Sequence, residues 1–203
     1  EYQFRILVTP VGPYYSGGVK PVAVKVPEYD RAAPHGTGAI KAGLNYAMSL
    51  YPSVQAHAEG FADNMYLDPQ THTYVEESGG ANFLFVDKDG TLVVPKSATD
   101  SILPSITRRS LVYVAENMLG MKVVERQVKF EEVASGAFVE CGMCGTAAVI
   151  SPVGKVVNGD EEITFGEGGM EHVGPVMQKL RATLTGIQDG EIEGPEGWVV
   201  KIC

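Results

Sequence analysis

Cysteine is scarce in this chain: Cys141, Cys144 and Cys203 are the three among 203 residues. Three thiols cannot build a disulfide framework, so a reducing, cytoplasmic setting is expected. Long apolar runs are missing too. Nothing approaches the ~18 residues of a membrane span, and the stretch from Phe4 to Val8 is interrupted by Arg5. Positive charge is also short, with 16 Lys and Arg against 25 Asp and Glu and a formal charge of −9. An acidic surface repels phosphate backbones and anionic lipid, which argues against nucleic-acid or membrane partners. Low-complexity tracts and repeats at solenoid spacing are absent. What remains is a chain 44% hydrophobic, able to bury a core, whose length fits one domain or one with a small appendage at ~150 residues per domain.

Cys141 and Cys144 form a CxxC with no second pair and no neighbouring histidines, so no metal site is expected. They lie in an apolar run and not at a helix start, which favours buried, strand-borne thiols over a redox pair. The chain opens at Glu1 without methionine, inside what reads as a strand, Tyr2 to Val8. That is the pattern of a chain cut from something longer or processed. Pro10 to Gly18 then crowds two prolines, three glycines and two tyrosines into one stretch, a loop or interdomain linker.

A strand is expected at Val22 to Val26. The spacing of Leu44, Ala47, Met48, Leu50 and Tyr51 predicts a helix from Leu44 to His57, with Pro52 limiting its continuity. Gly60 to Leu67 and His72 to Val75 read as strands about an Asp68-Pro69-Gln70 turn. Asp87-Lys88-Asp89-Gly90 between Asn82–Val86 and Thr91–Val94 is a hairpin signal, because Asp-Gly supplies positive φ. A helix begins at Pro104 and ends at a Gly120 cap. Strands at Lys122 to Val128, Ala137 to Met143 and Ala147 to Ile150 precede a helix from Pro175 to Ile187 and a closing strand from Trp198 to Ile202. The mixture is α+β, rich in hairpins and without a βαβ rhythm.

Four segments could carry chemistry. In Gly36-Thr37-Gly38-Ala39-Ile40-Lys41 a single lysine stands among small and apolar residues, where desolvation would lower its pKa as imine formation requires. Most lysines are simply surface residues, and Tyr46, five on, would ordinarily be core. Glu76-Glu77-Ser78-Gly79-Gly80 places two acids before a turn; such acids are normally solvated, but one facing inward could hold a proton on a heterocyclic nitrogen. Leu103-Pro104-Ser105-Ile106-Thr107 is a helix start, with free amides and a dipole suited to an anion. Cys144-Gly145-Thr146-Ala147-Ala148 is a small-residue turn whose amides and hydroxyl could bind phosphate or carboxylate.

Each signal is weak alone, but the ordered set VGPYYSGG, GTGAIKAGLNY, EESGGANFLF, ILPSITRR and CGTAAVISPVG resembles the branched-chain amino acid aminotransferases of fold-type IV, over essentially the whole chain. The resemblance implies a large domain of mixed sheets, a pseudo-barrel, with flanking helices, and pyridoxal 5'-phosphate as cofactor. It implies Lys41 as the imine-forming lysine and proton shuttle and Glu77 as partner of the pyridine nitrogen. Tyr46 would bond the cofactor's 3'-oxygen. Ile106, Thr107 and Thr146 would hold the phosphate, and Arg31 would lie near the cofactor. Thr146 and Ala147 would receive the substrate carboxylate, and Tyr14 would border the side-chain pocket. Substrates would be leucine, isoleucine or valine with 2-oxoglutarate, and the assembly a homodimer.

On this resemblance residues 1–10 are the terminal strand of an N-terminal domain not in the chain, 11–19 the linker, and 20–203 the cofactor-binding domain. The chain alone is then expected to bind cofactor weakly or not at all and to turn over poorly, while the parent protein is active. Ala148 and Ser151 occupy positions where some members carry a redox CxxC, so that regulation does not transfer. Other fold-type IV activities, D-amino acid aminotransferase or aminodeoxychorismate lyase, use shorter forms of these motifs, and a non-catalytic assembly domain is a further alternative. The joint presence of Lys41, Tyr46 and Glu77 argues against the last.

Overall fold

The computed structural model describes residues 2–10 and 19–201. Eight strands form one mixed sheet: β1 (Val22–Lys25), β2 (Asp63–Asn64), β3 (Asn82–Asp87), β4 (Leu92–Pro95), β5 (Val123–Arg126), β6 (Phe138–Gly145), β7 (Val149–Asn158) and β8 (Glu161–Thr164). Their order is β2-β1-β7-β6-β3-β4-β5, with β8 paired to β7. The hairpins β3–β4, β6–β7 and β7–β8 are antiparallel, whereas β1 runs parallel to both β2 and β7, and β4 to β5. Helices flank the sheet: α1 (Gly43–Ala58), α2 (Ile106–Tyr113), continued by a π-turn over Val114–Met118, α3 (Phe130–Ala134) and α4 (Pro175–Gln188). This is the expected α+β arrangement. Among the described residues no helix is long and apolar enough to cross a membrane.

β3 reads Asn-Phe-Leu-Phe-Val-Asp and is buried along nearly its whole length because both faces of the sheet are covered. Phe83 and Phe85 enter one core with Cys141, Met143 and Val153. Leu84 and Val86 enter the other, with Cys144, Ile150 and the inward residues Leu111, Met177 and Leu180 of α2 and α4. Strand alternation therefore sends the two cysteines of the CxxC to opposite faces, both buried and unbonded. Burial pushes the Cys144 thiol up to about 12 and Cys141 well above its usual range. Glu140 on β6 accepts the amides of Val176 (3.0 Å) and Met177 (2.8 Å), fixing the start of α4 against the sheet.

Several expectations change. Residues 2–10 form no strand among the described residues and are exposed, because no neighbouring edge supplies a ladder. Residues 198–201 form none either; Trp198 instead lies 5.3 Å from the ring of Tyr113. Gly60–Leu67 and His72–Val75 shrink to β2 and the isolated bridges Leu67–Val75 and Tyr74–Lys129. The Asp68 carboxylate there takes the amides of Thr71, Thr73 and Tyr74, closing the turn between the two segments. β7 runs on to Asn158, and a hairpin turns at Gly159, φ +58°, into β8. Pro52 lies inside α1 without ending it. The apolar residues that signal this helix point outward: Leu44, Met48, Leu50 and Tyr51 are exposed, while Asn45, Ser49, Pro52 and Ala56 face in.

Candidate cofactor-binding site

Most of the expected residues meet at one cavity of about 420 Å³, lined by Arg31, Lys41, Tyr46, Glu77, Asn82, Ile106, Thr146 and Ala147 among others. A smaller cavity of about 290 Å³ adjoins it across Gly80, Ala81 and the Gly145–Ala147 turn. A separate hollow of about 390 Å³ between β6 and the 165–175 loop touches none of the expected residues; it is lined mainly by apolar side chains and glycines, and its buried acid, Glu140, is spent on α4. Tyr14 lies outside the described residues.

Lys41 precedes α1 by one residue of coil and is exposed, so the desolvation expected from its apolar flanks is not provided by the described residues. Its Nζ donates to Tyr46 Oη at 3.0 Å, which α1 carries one turn on. The loop leading to Lys41 is held by a residue the sequence reading missed. Asn45 donates to the carbonyl oxygens of Thr37 and Ile40, both at 2.8 Å, and accepts from Thr37 Oγ1 at 2.9 Å.

Glu77, which lines the cavity, and Glu76, which does not, are both buried, although two acids before a turn are normally solvated. Glu77 Oε1 meets Arg31 Nη2 at 2.6 Å and accepts the Leu103 amide at 2.9 Å. Its Oε2 accepts from Asn82 Nδ2 at 2.9 Å. Burial raises Glu77 to about 7, Arg31 and the Leu103 amide opposing it. Asn82, also unforeseen, donates at 3.1 Å to the Leu103 carbonyl as well, tying β3 to the chain before α2. Its signal was a lone amide at the head of an apolar strand.

Arg31 is buried and bridges two loops, donating to the carbonyl oxygens of Gly38, at 3.1 Å, and Ser101. These loops touch so closely that a Cβ at Gly38 would lie 2.3 Å from the Ser101 oxygen. Gly38→Ala is therefore expected to lower stability by about 1–3 kcal/mol, read as a shifted denaturant midpoint. A midpoint equal to the parent's would mean that the loops part without cost.

At the opposite end, Ser105 caps α2 by accepting the Arg108 amide at 3.3 Å. The first two helix amides, Ile106 and Thr107, have no acceptor within the helix. Ile106 lines the cavity, whereas Thr107 is buried behind it and does not. Thr146 and Ala147 sit exposed on the turn between β6 and β7. That turn closes through the Ile150 amide on the Ala148 carbonyl at 2.8 Å, with Val149 at φ +61°, a strained conformation for a β-branched residue.

The family model Amino-transferase class IV matches residues 1–156. Over its whole length the chain is 47% identical to the branched-chain-amino-acid aminotransferase of Haemophilus influenzae and 41% identical to that of Helicobacter pylori. It spans 59% and 57% of the lengths of these relatives. The crystal structure of the Escherichia coli branched-chain amino acid aminotransferase superposes on 96% of this chain and 60% of its own, with TM-score 0.81 and 33% identity. That of the Thermobaculum terrenum enzyme in its PLP form superposes on 85% and 52%, with TM-score 0.69 and 29% identity.

Proposed function

The chain belongs to the class IV aminotransferase family, and from that premise we propose that it is the cofactor-binding part of a branched-chain amino acid aminotransferase using pyridoxal 5'-phosphate. The observation that carries this is Glu77: a buried carboxylate lining the cavity, pushed up to about 7 by burial despite an adjacent arginine. Such a group suits a ligand that brings its own N–H, as a pyridine nitrogen does. The remaining walls fit the same molecule. A helix N-terminus offers amides to a phosphate, an amine stands beside a phenol, and about 420 Å³ is within the range of small-molecule sites.

When bound, the cofactor supplies a carbonyl for the amine and a ring that withdraws electrons from the substrate Cα. The chain's residues divide the remaining work. Lys41 Nζ holds the cofactor carbon and moves the proton at the substrate Cα. Tyr46 Oη orients that amine and holds the ring's 3'-oxygen. Glu77 keeps the ring nitrogen protonated, with Arg31 and Asn82 fixing its carboxylate. The amides of Ile106 and Thr107 and the Thr146 hydroxyl hold the phosphate. The Thr146–Ala147 turn receives the substrate α-carboxylate, and Tyr14 borders the side-chain pocket.

The substrates are leucine, isoleucine or valine as donor and 2-oxoglutarate as acceptor. The exposed apolar side of α1, with Leu44, Met48, Tyr51 and Val54, supports pairing with a second copy. Two buried free thiols accord with a reducing, cytoplasmic compartment. Parallel assays with L-leucine, D-alanine and aminodeoxychorismate test the assignment. L-Leucine is expected to lead by about 100-fold or more, on the scale set by misfitting a buried polar site; D-alanine or the chorismate leading would replace this reading with another class IV activity.

A further inference from the structure

Arg31 sits 2.6 Å from Glu77 with both side chains buried, and as an isolated pair the two would cancel the charge that a ring N–H requires. A second buried carboxylate is joined to the same arginine through Ser101. Glu76, 2% exposed, accepts at Oε1 from Ser101 Oγ and, at 3.2 Å, from Ser97 Oγ. The carbonyl of that same Ser101 accepts from Arg31 Nη2. The two serine hydroxyls are 2.6 Å apart, and Thr99 Oγ1 lies 3.3 Å from each. A run of hydroxyls turned to one carboxylate favours its charged form.

We propose that Glu76 is a positioning residue: its carboxylate, held by Ser97 and Ser101, is the counter-charge of Arg31, leaving the charge of Glu77 to the ring nitrogen of pyridoxal phosphate. This rests on the cavity being the cofactor site. Two carboxylates and one guanidinium, when all are ionised, leave one net negative charge in the buried cluster, and a protonated pyridine completes it. Burial raises both acids; against it Arg31 lowers both, and Glu76 raises Glu77 further.

The other charges facing the cluster are already engaged. Arg108 faces Glu77 but is ion-paired with Glu125. Asp68 faces Glu76 but is taken up by the amides of Thr71, Thr73 and Tyr74.

Glu76→Gln tests this, because the amide keeps the volume and a hydrogen-bonding oxygen for the serines and removes only the charge. In the cofactor-free chain, carbon NMR of labelled glutamate is expected to show the Glu77 midpoint fall by about one pH unit, and Glu76→Asp to return it toward the parent. With cofactor labelled at the ring nitrogen, nitrogen NMR is expected to show deprotonation at correspondingly lower pH in Glu76→Gln. A Glu77 midpoint unmoved by Glu76→Gln overturns the charge sharing, whatever the cofactor does. An intact enzyme that takes up no pyridoxal phosphate overturns the cavity's assignment and the ring-nitrogen role with it, and the Glu77 titration tells the two failures apart.

Discussion

Lys41→Ala is expected to abolish the visible absorbance that pyridoxal phosphate acquires on the intact enzyme and to cut its transamination by at least about a thousandfold. Two functions leave together. The amine that holds the cofactor carbon is gone, and so is the base that moves the proton at the substrate Cα, a role worth roughly 10²–10⁴ alone. Tyr46, 3.0 Å away, cannot substitute, because a phenol forms no imine. Lys41 is exposed at the cavity mouth and, among the described residues, its Nζ bonds only Tyr46, so the variant should fold like the parent and its circular dichroism should be unchanged. Retained absorbance in Lys41→Ala would place the cofactor on another amine.

Glu77→Gln separates chemistry from binding. The phosphate end and Lys41 remain, so absorbance should persist, while transamination falls by about 10²–10³ through loss of a preorganised charge. The same substitution carries a signature in the cofactor-free chain. Burial raises Glu77 from 4.5 to about 7, so between those values the folded chain keeps a proton that the unfolded chain has released. Stability from this group is full below about pH 4.5 and declines as pH rises to about 7, on the order of 1 kcal/mol per unit. Asp63 and Glu76, also raised by burial, act in the same direction, and Glu132, lowered chiefly by its hydrogen bond to Arg126, in the other. Glu77→Gln should flatten the slope of denaturant midpoint against pH; an unchanged slope would mean that Glu77 titrates near its ordinary value.

Much of this site is legible in the sequence where local rules operate. Asp-Gly at 89–90 sets the β3–β4 turn, with Gly90 at φ +79°, and Pro175 opens α4. The lysine loop, the acid pair, the α2 start and the Thr146 turn can each be read from a few adjacent residues. Their supports cannot, because each depends on a partner far along the chain: Glu77 on Leu103, Arg31 on Ser101, Glu76 on Ser97. The buried side of α1 is hidden for a different reason. Its inward residues are small or polar, and Asn45 among them is bonded to the lysine loop, so the hydrophobic pattern marks the helix and misreports its orientation. Gly159 had the chemistry of a turn, yet the acidic Glu161-Glu162 that follows masks a short edge strand.

The two thiols of the Cys141–Cys144 pair occupy separate cores on either side of one strand. Their side chains cannot meet while β6 is intact, so the chain carries two independent internal gauges of opening. An alkylating reagent reaches Cys141 when the face with Phe85 and Phe138 comes apart, and Cys144 when α2 and α4 lift from the other face. Which sulfur is modified first tells which side of the sheet breathes first.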